Sequence, residues 1–158
     1  MNRLNDLLGS LFGLGHIPFA PGTWGSLGAV ALIYLISIVL PVTGIPLFLI
    51  ITTILSLITA DYFITTYGDD APQFVMDEAA GQSVVFLFSG FQISQGDPIW
   101  ILFLGFALFR LFDITKPLGV RRLEKLPGKY GILADDLLAG FYALTVLEII
   151  KYSTETFF

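Results

Sequence analysis

Between Phe109 and Asp136 the chain reads FRLFDITKPLGVRRLEKLPGKYGILADD, a stretch that holds six of the eight Lys and Arg residues in the whole sequence. Within it Arg110, Asp113 and Lys116 recur every third residue, so on a helix running into Pro117 they fall roughly along one side. On a soluble helix such a ladder is an i,i+3 ion-pair row worth a few tenths of a kcal/mol per pair. Here twelve uncharged residues, Pro98 to Phe109, precede it, which places the ladder at the mouth of an apolar segment. Arg110 and Lys116 there suit phosphoryl oxygens, whose charge spreads in a transfer reaction.

Carboxylates supply the rest of the chemistry. Asp135 and Asp136 follow the turn residues Pro127, Gly128 and Gly131 and open an apolar run, Leu137 to Leu147. The pattern predicts a helix start, with one carboxylate as cap and its neighbour, about 100° round the axis, turned to an inner site. Asp77 and Glu78 precede Ala79, Ala80 and Gly81, small residues that admit close approach of another helix or a ligand. Asp69 and Asp70, beside Ala71 and Pro72, read as solvated turn residues. Earlier, GLGHIPFAPGTWGS (Gly13 to Ser26) reads as a structured loop, with Thr23 or Ser26 capping the next helix or meeting a phosphate at its N-terminus. Asp77, Glu78, Asp135 and Asp136 are thus candidate metal ligands, and an oxygen-only set suits Mg2+. Asp113, flanked by two cations, reads as an orienting or ligand carboxylate.

The elements that must carry these residues are apolar. At 158 residues, 55% hydrophobic and 13% charged, with mean hydropathy +0.81, the chain reads as one integral-membrane domain spanning 1–158. No Asp, Glu, Lys or Arg occurs between Asp6 and Asp61. The expected fold is all-α: an amphipathic N-terminal helix on the membrane surface, then four to five short transmembrane or re-entrant helices at 27–40, 45–60, 79–91, 99–112 and 132–150. Most of these runs are shorter than the ~20 residues of a perpendicular span, so flanking polar residues must complete them. The cations Arg121, Arg122, Lys125 and Lys129 place their loop in the cytoplasm, and alternating spans bring all four motifs to that same face.

Composition also excludes. The absence of cysteine removes disulfides, thiolate nucleophiles and Cys-type metal sites, and the single histidine, His16, removes chemistry needing a histidine pair. A net charge of −5 without a basic stripe argues against a nucleic-acid partner.

Four motifs, APGTWGS (20–26), DEAAGQ (77–82), FRLFDITKP (109–117) and GILADDLLAG (131–140), give the chain a resemblance to the phosphatidylglycerophosphatase A family across nearly its whole length. The chain departs from the family pattern at Gly119, where a second proline is usual, and at Gly128-Lys129, where Gly-Gly is usual. The resemblance implies an all-α bundle with one central helix wrapped by the others, in the bacterial inner membrane with the site facing the cytoplasm. It also implies Mg2+-dependent hydrolysis of phosphatidylglycerol phosphate to phosphatidylglycerol. Catalysis would rest on Asp77, Glu78, Asp113, Arg110 and Lys116, with Thr23, Ser26, Arg110 and Lys116 on the substrate. Two routes stay open, metal-activated water and an aspartyl phosphate on Asp113, and the missing DxDx signature favours water. The rival readings are a phosphatase of another lipid or prenyl phosphate and an ion-coupled transporter, the latter expecting charges at mid-bilayer rather than at span ends.

Overall fold

A computed structural model describes residues 2–69, 71–87, 99–117 and 119–157. Among these, seven α-helices and no strand occur: α1 (Asn2–Gly9), α2 (Pro21–Val39), α3 (Gly44–Tyr67), α4 (Met76–Leu87), α5 (Trp100–Thr115), α6 (Val120–Leu123) and α7 (Lys129–Phe157), with a 3₁₀ turn at Leu14–His16. The all-α expectation is met.

The boundaries follow local chemistry. Proline at the first position of α2 lacks only an N–H that no helix would use, and Pro41 ends the run after Leu40. α5 stops where Lys116 adopts the left-handed conformation (φ 45°) before Pro117. Flanking polar residues extend the first two apolar runs, as expected, to helices of 19 and 24 residues. Both are long and apolar enough to cross a membrane. Their outward faces carry Leu35, Ile38, Ile50, Ile54 and Ile58, each about half exposed or more, which inverts the soluble pattern. The end of the third apolar run, 88–91, lies outside the described residues.

Two expectations are corrected. Thr23 and Ser26 lie inside α2 and cap nothing, because the helix already begins at Pro21 behind a left-handed Ala20. Asp135 and Asp136 do not open a helix either. α7 begins at Lys129, immediately after the left-handed Gly128, so both acids sit in its second turn.

α4 is the centre of the bundle, touching α2, α3, α5 and α7. Its small residues make this possible: Ala79, Ala80 and Gly81 are buried, and a Cβ on Gly81 would meet the Asp136 carbonyl oxygen at 2.6 Å. A Cβ on Gly140 of α7 would in turn run into the carbonyl oxygen of Gly81. One apolar cluster, built on Ile33, Phe86, Phe109 and Leu147, fills one end of the bundle; a second, built on Phe63, Phe74, Val75 and Met76, fills the other. α1 leaves Leu4 and Leu7 exposed, and its Asp6 accepts hydrogen bonds from Tyr67 Oη at 3.3 Å and from His16 Nε2 at 3.0 Å, which ties it to the end of α3.

Candidate active site

Five helices converge on one cavity of about 640 Å³, at the start of α2, the later turns of α3, the first turn of α4, the end of α5 and the first two turns of α7. Its lining includes Asp77, Glu78, Arg110, Asp113, Lys116, Asp135 and Asp136. All seven of these were singled out from sequence.

Glu78 is built in by glycines. Both Gly22 and Gly25 on α2 face it, and a methyl group at either would meet its carboxylate, so the PGTWGS motif makes room for an acid on the neighbouring helix. The carboxylate lies against the N-terminal end of α2, where a negative charge is favoured. Ser26 Oγ donates to Glu78 Oε2 at 3.2 Å, while Arg110 Nη1 reaches Glu78 Oε1 at 3.3 Å, Ser26 Oγ at 3.4 Å and Asp113 Oδ2 at 2.7 Å. Burial, opposed by the Arg110 charge, pushes Glu78 up to about 7. Asp77, 7% exposed, is held well above the usual carboxylate range by burial and by Glu78, and its Oδ1 has no hydrogen-bond partner.

The second cation is held separately. Lys116, swung away by its left-handed backbone, is 2.8 Å from Asp135 Oδ2 and 3.1 Å from Glu124 Oε1. Burial works against its charge, yet Asp135 and then Glu124 hold the ammonium above the usual lysine range. The expected ladder is therefore half formed. Arg110 and Asp113 pair within α5, whereas Lys116 bridges to α7 and to the residue that ends α6.

The cavity also brings in Glu124, which sequence reading passed over because it lies among surface cations, and Asp69, read as a turn residue. Asp70 lies outside the described residues. Gln82, one turn beyond Glu78 in the DEAAGQ motif, is fully buried with both amide atoms unpartnered, although it does not line the cavity. Of the two hydroxyl residues expected at the substrate, neither Thr23 nor Ser26 lines the cavity, and Ser26 is fully buried behind Glu78 and Arg110.

Seven carboxylic acids thus face two cations in one cavity. An anionic phosphate entering it needs the excess negative charge neutralised, by protons or by a bound cation. Oxygen donors without His or Cys, and a buried Asp77 oxygen lacking a partner, fit a hard cation such as Mg2+. Among the described residues no three acids close into a cage of their own. That is compatible with Mg2+, which is usually held by one or two carboxylates together with water and substrate phosphate.

Comparison with known proteins supplies the remaining constraint. The family model for Phosphatidylglycerophosphatase A matches residues 7–151. A protein of Bacteroides thetaiotaomicron named "Putative phosphatidylinositol-3-phosphatase" is 34% identical over 151 residues, covering 92% of each chain. Proteins named phosphatidylglycerophosphatase A from Haemophilus influenzae and Escherichia coli are 39% and 30% identical, each over 92% of this chain and over 88% and 83% of their own lengths. No solved structure matches.

Proposed function

The chain belongs to the phosphatidylglycerophosphatase A family, and from that premise we propose that it removes the terminal phosphate of phosphatidylglycerol phosphate at the cytoplasmic face of a bacterial inner membrane. It is a phosphatase by that membership. α2 and α3 would cross the bilayer, with α5 and α7 completing a multi-pass bundle, and the cations Arg121, Arg122, Lys125 and Lys129 argue for the cytoplasmic side.

The observation that carries the mechanism is the excess of acids over cations in the cavity. Mg2+ held by one or two of the carboxylates Asp77, Glu78, Asp135 and Asp136, with water and the substrate phosphate completing its shell, would neutralise phosphoryl oxygens and supply an acidified water. Arg110, aligned by Asp113 and Glu78, presents its fork to the phosphate, and Lys116 meets a second oxygen. The carboxylate of the Asp77–Glu78 pair that the cation does not take accepts the proton of the attacking water. Water forms the new P–O bond as the bond to the glycerol oxygen breaks, and that oxygen takes up a proton on leaving. Asp113 lies 2.7 Å from Arg110, which suits an orienting carboxylate better than a nucleophile.

Phosphate release from phosphatidylglycerol phosphate in detergent, with Mg2+ and with EDTA, tests this reading. Release that needs the metal and is lost in Asp77→Asn and Asp136→Asn is the expected result; folded protein that releases nothing above the EDTA control overturns the substrate. A second reading, hydrolysis of another lipid phosphomonoester, draws on the Bacteroides relative's name, so a phosphatidylinositol 3-phosphate arm belongs in the same assay.

A further inference from the structure

The cavity has two kinds of wall. Facing the carboxylates is an apolar side contributed by α3 and the start of α7, with Ala60, Phe63, Ile64 and Ile132 among its residues. A diacyl lipid that brings its phosphate to the acids must carry its chains out through some side of the bundle.

On α3, Asp61 stands about 60° round the axis from Ile64 on one side and from Ile58 on the other, at about 100° per residue. Ile64 lines the cavity, whereas Ile58 is 61% exposed and continues an outward apolar stripe with Ile54. Asp61 therefore stands on the ridge between the cavity and the face that meets lipid. Lys129 holds the matching place on α7, three residues before Ile132, and its Nζ lies 2.6 Å from Asp61 Oδ2. This pair spans the seam between the two helices.

Neither charge is well placed for stability alone. A lysine at the first position of a helix opposes the macrodipole, and an acid at the end of a lipid-facing stripe is costly unless paired. Such a pair, with Asp61 63% exposed, is weak and exchanges partners readily.

Resting on the lipid-phosphatase reading, we infer that the seam between α3 and α7 is the lateral portal through which the acyl chains of the substrate leave the cavity. The Asp61–Lys129 pair is its latch. When lipid enters, Lys129 leaves Asp61 for the phosphodiester that joins headgroup to diacylglycerol, and the chains lie along Ile64 and Ile132. No covalent step is involved.

The natural chain has no cysteine, so Asp61→Cys with Lys129→Cys introduces the only two thiols. A bis-methanethiosulfonate linker closes the seam and a reductant reopens it. Phosphate release is followed on diacyl phosphatidylglycerol phosphate in mixed micelles and on its water-soluble deacylated headgroup. Closing the linker is expected to lower kcat/KM for the lipid about tenfold or more, to leave the deacylated headgroup within about twofold, and to be reversed by reductant. A parallel loss on both substrates, or no loss on either, overturns the portal.

A readout without turnover separates this inference from the reading beneath it. A bimane label at Ile132→Cys in vesicles is expected to be quenched by nitroxide-labelled phosphatidylglycerol, more strongly when Asp61→Asn removes the latch and leaves Lys129 free for the lipid. A label that lipid never reaches refutes the portal whether or not the protein hydrolyses the phosphate.

Discussion

Replacing Gly81 with alanine adds one methyl group where α4 and α7 touch, at the level of the acids. The added Cβ would lie 2.6 Å from the carbonyl oxygen of Asp136 and 2.7 Å from Phe109 Cε2, against 3.4 Å for ordinary contact. The two helices must therefore part by about 0.8 Å, because a backbone carbonyl cannot turn aside as a side chain can. Overpacking of this kind costs about 1–3 kcal/mol. Asp136 moves with its carbonyl, and a displacement of about 1 Å between catalytic groups can cost about 10²-fold in rate. Gly105→Ala is the control of similar size: its Cβ would meet Phe86 Cζ at 2.5 Å, a side-chain contact on α5 one and a half turns before Arg110. Thermal unfolding in detergent and kcat on the lipid substrate should therefore diverge. Both variants lose stability, but only Gly81→Ala loses turnover out of proportion to the folded fraction. Full turnover with an unshifted Tm in Gly81→Ala would refute the argument that helix spacing sets the site.

Arg110→Lys keeps the charge but loses the planar guanidinium, whose Nη1 meets Glu78, Ser26 and Asp113 and whose other N–H groups are left for a phosphate, so kcat should fall about 10²-fold, and an activity near wild type would remove Arg110 from the site. Ser26→Ala strands hydrogen-bonding groups on Glu78 and Arg110 and should cost about 1 kcal/mol in denaturant unfolding, whereas Thr23→Ala should stay within about 0.5 kcal/mol. Mg2+ binding measured by calorimetry should weaken about tenfold or more in Asp77→Asn, and EDTA should abolish turnover reversibly. That binding should also weaken as pH falls through about 7. There the raised Glu78 carboxylate takes up a proton, and the protonated acid is a poorer ligand; affinity that does not change across this range would exclude Glu78 from the ligand set.

What could be read from the residues alone was decided by what each residue can do locally. The long uncharged runs identify α2 and α3, because no other structure satisfies an apolar backbone so simply, and small residues after Asp77-Glu78 identify a helix that others approach. The corrections come from places where tertiary contact overrides a local rule. Gly22, Thr23 and Ser26 resemble a turn and caps, yet Gly22, Gly25 and Ser26 lie on the side of α2 that receives Glu78, so the glycines act as space and Ser26 as a bridge to Arg110. Asp135 and Asp136 resemble first-turn acids, but Gly128 starts α7 earlier and puts them where α4 can meet them.

The partner choice of Lys116 shows why the remainder was not legible. Spacing along α5 assigns it to Asp113, one turn back, and this holds only while the helix continues. The left-handed residue at the helix end redirects the side chain to Asp135 and Glu124, from two other segments. Each cation is consequently committed to two acids before any ligand arrives, Arg110 to Glu78 and Asp113 and Lys116 to Asp135 and Glu124. A phosphate entering the cavity exchanges with carboxylates for these cations instead of finding them free, and the displaced carboxylates then need a positive partner of their own. The same exchange that admits the phosphate thus exposes the oxygens that a hard cation would take, which makes anion and cation binding mutually favourable in a site of this composition.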